Sequence, residues 1–255
     1  WDDDYYRNID AARWIRVAWW HQDLPRGGGE GTYPVHGFPW GHVRYNIETG
    51  EFEEKKGFCR SEEELRKLAD KDYYYEGFKD DPVVQLFALR EGGEAPVGYL
   101  EKLAEAFGLE VDLRDPDKKA DEAYRLHTEY ALRSTEYVVD KMRDWCEEND
   151  RKLMVLLSYD TPTVKEYIRE GNRFDARFVD HLESNDYTYV DCLKAAAEEY
   201  ENFSCSVDDF LGRHYIARAG AQVFGHYNPA GNFWFAHAIR RPMADWLEPS
   251  PPSYR

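Results

Sequence analysis

Between about Lys118 and Asn149, apolar side chains recur at steps of three, four or seven: Ala123, Leu126, Tyr130, Tyr137, Val138, Met142 and Trp145. That spacing puts them on one face of a long α-helix, with Arg133, Glu136, Asp140 and Arg143 mostly off it. The period then changes. Leu153 to Leu157 is an unbroken apolar run of strand length, the pattern of a strand covered on both faces in a parallel sheet. Thr161-Pro162 opens the next helix, because proline suits the first helical turn. Tyr187 to Asp191 reads as a second short strand and Cys192 to Tyr200 as the helix after it. Helix, strand, helix, strand, helix implies βαβ crossovers, hence an α/β fold with a parallel sheet flanked by helices.

The pattern near the C-terminus is again helical. Asn228 is a good N-cap and Pro229 a good first helical residue. Phe233, Trp234, Ala236, Ala238, Ile239, Met243 and Trp246 then give a mostly apolar final helix. His226 precedes the cap by two residues, which places it on a loop feeding that helix.

Upstream, the stretch from His42 to Lys55 alternates on either side of Glu48-Thr49-Gly50, a β-hairpin with a short turn. Ser61 to Glu64 forms a capping box, predicting a helix to about Lys71, and Pro82–Arg90 and Val97–Phe107 are further helical segments. Residues 1–40 are irregular, rich in aromatics and broken by a glycine-rich loop at 26–31. The chain therefore divides into an aromatic N-terminal region with hairpin and helices (1–116), an insertion or cap, and an α/β portion (117–255).

Composition narrows the function. A chain of 255 residues is one large domain or two small ones. No stretch approaches ~20 apolar residues, so no membrane span is expected. The net charge of −17 repels phosphate backbones, which argues against nucleic acid as a partner. Aromatic residues at 16% belong largely to the core, where they bury large areas, and some suit the lining of a cleft for a sugar or acyl ligand. Cys59, Cys146, Cys192 and Cys205 lie far apart with no Cys-x-x-Cys spacing, and read as isolated buried thiols. His21, His36 and His42 match no metal-ligand spacing, and Gly27–Gly29 lacks the Gly-Lys-Ser/Thr of a phosphate loop. No metal and no cofactor are expected. The chain begins at Trp1, without an initiator Met or a signal peptide.

The segment His226-Tyr227-Asn228-Pro229-Ala230-Gly231-Asn232 resembles the last sequence block of the SGNH/GDSL hydrolases, a superfamily of esterases and acyltransferases. There a histidine followed by Asn and Gly opens the C-terminal helix. The preceding order of elements is similar over residues 118–247, and the opening Trp1 to Ile9 is, more weakly, like the segment after the family's third block. The resemblance implies a flavodoxin-like three-layer fold and His226 as general base. The substrate it implies is an acyl ester, such as that of a carbohydrate, held near Asn228, Tyr227 and Asn232. The family's Gly-Asp-Ser nucleophile block is not found, since the chain has no Asp-Ser dipeptide, and Val223 stands where the family carries its acid. Ser158, at the end of the first strand, is then the candidate nucleophile, or a hydroxyl satisfying backbone at a strand–helix junction. Asp160 is the candidate orienting acid, or simply the cap of the next helix. Three alternatives stay open. A second chain supplies the missing strands and the nucleophile, the scaffold is a catalytically inactive binding module, or a lyase uses Tyr and His as acid and base.

Overall fold

The computed structural model describes residues 5–9, 41–57, 63, 67, 70–217 and 223–248. The expected helix after Ser61, together with His21, His36, Gly27–Gly29, Cys59 and Trp1 to Asp4, lies wholly or largely outside them. In order come β1 (His42–Asn46), β2 (Glu51–Lys55), α1 (Lys71–Gly77), α2 (Pro82–Arg90), α3 (Gly98–Ala106) and α4 (Lys119–Glu148). Then follow β3 (Val155–Leu157), α5 (Thr161–Glu170), α6 (Ala176–Ser184), β4 (Tyr189–Asp191), α7 (Cys192–Tyr200), α8 (Val207–His214), β5 (Tyr215–Ala217), β6 (Val223–Tyr227) and α9 (Pro229–Leu247). Two compact units divide at Asp140–Lys141, inside α4, rather than at residue 116 where composition suggested a boundary.

In the first unit β1 and β2 form the expected antiparallel hairpin, with Gly50 at positive φ in its turn. Its anchor is Arg44. The Arg44 Nε and Nη2 donate to Asp81 Oδ2 (2.7 Å) and Oδ1 (3.1 Å), and Nη1 donates to the Ile9 carbonyl at 2.6 Å. Asp81 also caps α2 by accepting from the amides of Val83 and Val84. One carboxylate thus starts a helix and holds a strand, which offsets the cost of taking Arg44 out of water. The Tyr130 hydroxyl, buried on α4, accepts from the Tyr45 amide at 2.8 Å. Leu86, Leu89, Leu100, Leu103 and Leu126 fill the space around these contacts.

In the second unit β3 and β4 run parallel, Val155 opposite Tyr189 and Leu157 opposite Asp191, joined through α5 and α6. The mixed α/β character expected from the sequence is present, but this parallel sheet has two strands. α6, α8 and the β5–β6 pair were not foreseen: the two helices are short and punctuated by charged residues, and the two strands are short and irregularly paired. Leu157 is buried, yet Leu156 is 38% exposed, so β3 is not covered on both faces as its composition led us to expect. Along α4 the stripe is buried from Ala123 to Ala131 but opens at its end, where Trp145 is 59% exposed. Likewise α9 buries little: Phe233 is 77% exposed and its remaining large apolar side chains are at most half-buried. Cys192 is buried, whereas Cys146 and Cys205, expected to be buried, are only half so.

Burial pushes up the hydroxyls of Tyr130, Tyr159 and Tyr215, and it pushes the Cys192 thiol up to about 12, aided by the Asp191 charge. Each folded pKa lies above the unfolded one. The stabilising effect is therefore complete below the unfolded values, ~10 for tyrosine and ~8.5 for cysteine, and is lost as pH rises through the folded ones. Alkaline titration followed at 295 nm should show these tyrosines ionising only together with loss of the circular-dichroism signal. Smooth titration of all tyrosines near pH ~10 with the fold intact would contradict their burial.

Candidate functional site

In open α/β sheets the loops beyond the carboxyl ends of parallel strands hold the chemistry. Here β3 runs into Ser158, Tyr159 and Asp160, and β4 ends on Asp191. Both aspartates are helix caps. Asp160 accepts from the Thr163 amide at 2.9 Å, and Asp191 from the Leu193 and Lys194 amides at 3.0 and 3.3 Å.

Arg173, between α5 and α6, joins the two strand ends. Its Nη1 donates to Asp191 Oδ2 at 2.6 Å and its Nε to Asp175 Oδ1 at 2.8 Å, while Nη2 donates to the Tyr159 hydroxyl at 2.7 Å. That hydroxyl in turn donates to Asp175 Oδ2 at 2.8 Å. Asp175 is 0% exposed. Burial pulls the guanidinium pKa down, but the hydrogen bonds to Asp175 and Asp191 outweigh it and leave Arg173 above its usual range. Burial, then the Asp175 charge, raises the Tyr159 hydroxyl and keeps it a donor. The sequence reading missed this cluster. Its only trace was the Arg-Phe-Asp spacing at 173–175, common on any charged surface.

The His226 region is assembled from β5, β6 and α9. Asn228 caps α9 as expected, accepting from the Gly231 amide at 2.9 Å. Its Nδ2 donates to the Arg213 and Tyr215 carbonyls, and its own amide donates to the His214 carbonyl. A Cβ on Gly231 would lie 1.9 Å from that His214 carbonyl oxygen, so only glycine fits there. His226 is not on a loop. It lies in β6, exposed, where pairing is irregular: Tyr215 faces Tyr227 and the next residue, Ile216, faces Phe224, leaving Gly225 and His226 as the extra residues. Such bulges bend a strand and re-aim its side chains. Gly225 sits on Asp160, where an added Cβ would be 3.1 Å from the Asp160 Cβ. β6 is thereby brought against the end of β3.

Among the residues singled out from the sequence, the structure brings Asp160 and the strand of His226 together, with Ser158 half-buried on the same junction. None of the hydrogen bonds described for this end of the sheet joins Ser158 to His226. Tyr227 is half-buried with its ring near Tyr215, Trp234 and Phe235, and Asn232 is exposed in the first turn of α9. The Asn228 side chain is engaged in holding the α8–β5 junction and the cap. Among the described residues no group of three or more His, Cys, Asp or Glu is placed to hold a metal ion, and no helix is long and apolar enough to cross a membrane.

Removing Arg173 takes the bond from its Nε away from the buried Asp175 carboxylate. Arg173→Ala should lower unfolding free energy by about 3 to 5 kcal/mol, and Arg173→Lys, which keeps the charge but not the planar fork, by less. Urea denaturation of the two variants checks this order. Equal stability of wild type and Arg173→Ala would show that the cluster does not hold the strand ends.

Compared with protein-family models, curated proteins and solved structures, the chain matches none.

Proposed function

We propose that the unit beginning at Lys141 is an SGNH-like esterase or acyltransferase, with His226 as general base at the carboxyl end of β3. The observation carrying this reading is the seat of Gly225 on Asp160, which sets the bulged strand bearing His226 beside the strand end bearing Ser158. The His-Tyr-Asn-Pro-Ala-Gly-Asn sequence and the cap at Asn228 add the resemblance in sequence to a local geometry of the right kind. The finer reading, a three-layer flavodoxin-like sheet, belongs to the same proposal.

The chemistry follows from the residues. The Ser158 hydroxyl attacks the acyl carbonyl while the His226 imidazole takes its proton. Backbone amides of the β3–α5 loop are assigned to the developing oxyanion, since Pro162 has no N–H and the Thr163 and Val164 amides are taken up by Asp160. The imidazolium then protonates the departing alkoxide. Water, or an acceptor alcohol in a transferase, then gives its proton to His226 as it attacks the acyl carbonyl, and the Ser158 oxygen leaves by taking that proton back from the imidazolium. Asp160 Oδ1 is engaged by the Thr163 amide, which leaves Oδ2 to hold the imidazole tautomer. Carbohydrate esters are the class to screen first, given the abundance of aromatic side chains.

A fluorophosphonate probe followed by peptide mapping should modify Ser158. Ser158→Ala should abolish labelling, and His226→Ala should slow ester turnover by about a hundredfold or more. Gly225→Val should reduce turnover while leaving the circular-dichroism spectrum intact, because its side chain drives β6 off Asp160. No labelling, together with an ester screen indifferent to His226→Ala, overturns the proposal and favours a binding module in which Asp160 is only a cap. Labelling at a different serine would keep the reaction class and replace the nucleophile.

A further inference from the structure

Helix α2 shapes a pocket in the first unit. The chain leaves the helix through Gly92, at positive φ, and the Gly93 amide returns to the Ala88 carbonyl at 2.8 Å. A Cβ on Gly93 would stand 3.0 Å from that same oxygen, so the turn closes this tightly on a glycine. Lys119, at the start of α4, pins the returning segment: its ammonium donates to the Gly93 carbonyl at 3.1 Å and to Glu94 Oε1 at 2.5 Å. Ala95 and Pro96 thereby line one pocket with Val84 and Ala88, which stand a turn apart on α2. Side chains this small leave a volume of about 360 Å³. Ligand pockets begin at roughly 300 Å³, and a cavity of ~150 Å³ takes benzene.

One polar group in the wall is unsatisfied. Gln85 is 6% exposed, and its Nε2 donates to the Lys79 carbonyl at 2.8 Å. That bond fixes the sense of the amide, because a carbonyl accepts only from the nitrogen end. The other end is therefore Oε1, buried and with no hydrogen-bond partner among the described residues. A buried acceptor without a donor is costly and uncommon. The last torsion of glutamine is broad, so a small turn of the amide brings Oε1 to the pocket while Nε2 keeps the Lys79 carbonyl. What Oε1 requires of a guest is an N–H or an O–H.

Charge selects among donors. Glu91 and Glu94 bring carboxylates to the pocket. The Lys79 ammonium is engaged by Glu76 at 2.9 Å, and the Lys119 ammonium by Glu94. The net charge of −17 favours a cationic guest over an anionic one. We infer that this pocket binds a small primary ammonium compound with a compact apolar body. The body lies on Val84, Ala88, Ala95 and Pro96, and the ammonium donates to Gln85 Oε1 on the side of the two glutamates. The pocket shares no residue with the proposed hydrolase centre, so neither reading rests on the other.

The probe is 2-phenylethylammonium, titrated into the full chain and followed by calorimetry and by amide chemical shifts. It should bind with a dissociation constant of about 1 mM or tighter, with shifts concentrated at residues 79–96. Phenylacetate, similar in size and opposite in charge, should bind about tenfold more weakly or worse. Gln85→Leu keeps the volume and removes the acceptor, and should weaken the ammonium about tenfold. Ala88→Phe fills the pocket and should abolish binding with the circular-dichroism spectrum intact. A wild type that binds no ammonium up to about 10 mM overturns the inference, as does equal binding of phenylacetate or an affinity indifferent to Gln85→Leu. Should Gln85→Leu fail to fold, Ala88→Phe decides: binding that survives it, or shifts centred elsewhere on the chain, overturns the site.

Discussion

The guanidinium of Arg173 is the constraint from which the second unit's architecture follows. A two-stranded parallel sheet has few backbone bonds of its own, and its strands here make three paired positions. Arg173 adds side-chain bonds at their ends: to Asp191, which ends β4, and to the hydroxyl of Tyr159, which follows β3. Asp175 closes the cluster and is wholly buried with its charge satisfied by both Arg173 and Tyr159. A buried ion pair of this kind gives little net stability compared with apolar packing, but breaking it is costly. Its effect is to fix which strand ends lie side by side. The Tyr215 hydroxyl donates to the Tyr159 carbonyl at 3.0 Å, so β5 is registered on the same point. β6 follows through its pairing with β5, and with it His226.

The two caps on this end of the sheet show how strands and helices share the same residues. Asp160 and Asp191 each end a strand segment and start a helix, and each is also approached by another element: Gly225 rests on Asp160, and Arg173 bonds Asp191. A carboxylate at a helix N-terminus is favoured by the amides it accepts from and by the helix dipole. In the first unit Asp81 plays the same double part with Arg44. The protein repeatedly uses a capping aspartate as the attachment point for an arginine, which explains how an acidic chain can bury several charges without orphaning them.

The long helix, the hairpin, the order of strands 3 and 4 with their helices, and the cap at Asn228 were all legible, because each is written in local periodicity or in a cap with a stated partner. What was not legible depends on contacts distant in sequence. The apolar run at Leu153–Leu157 says that a strand wants cover on both faces, and it cannot say that Leu156 lacks it. The placement of His226 on a loop failed because a bulged strand of mixed residues has neither strict alternation nor a turn signature. Gly225 and Gly231 look like ordinary loop glycines in the sequence. Their reason lies in Asp160 and in the His214 carbonyl, and only the assembled chain brings those near. Arg173 carried no signal beyond its nearness to Asp175 in the sequence, since a charge is read as solvent-facing unless its partners are known.

Strand β3 ends where the proposed reaction takes place, and its carboxyl end is held by side chains from several elements. Arg173 reaches the Tyr159 hydroxyl and ties it to Asp175 and to Asp191 at the end of β4. The Tyr215 hydroxyl donates to the Tyr159 carbonyl, and Gly225 seats β6 on Asp160. Three paired strand residues have too few backbone bonds to fix that end alone. Bonds between residues distant in sequence do so, and the same bonds bring the strand of His226 to the strand end that carries Ser158.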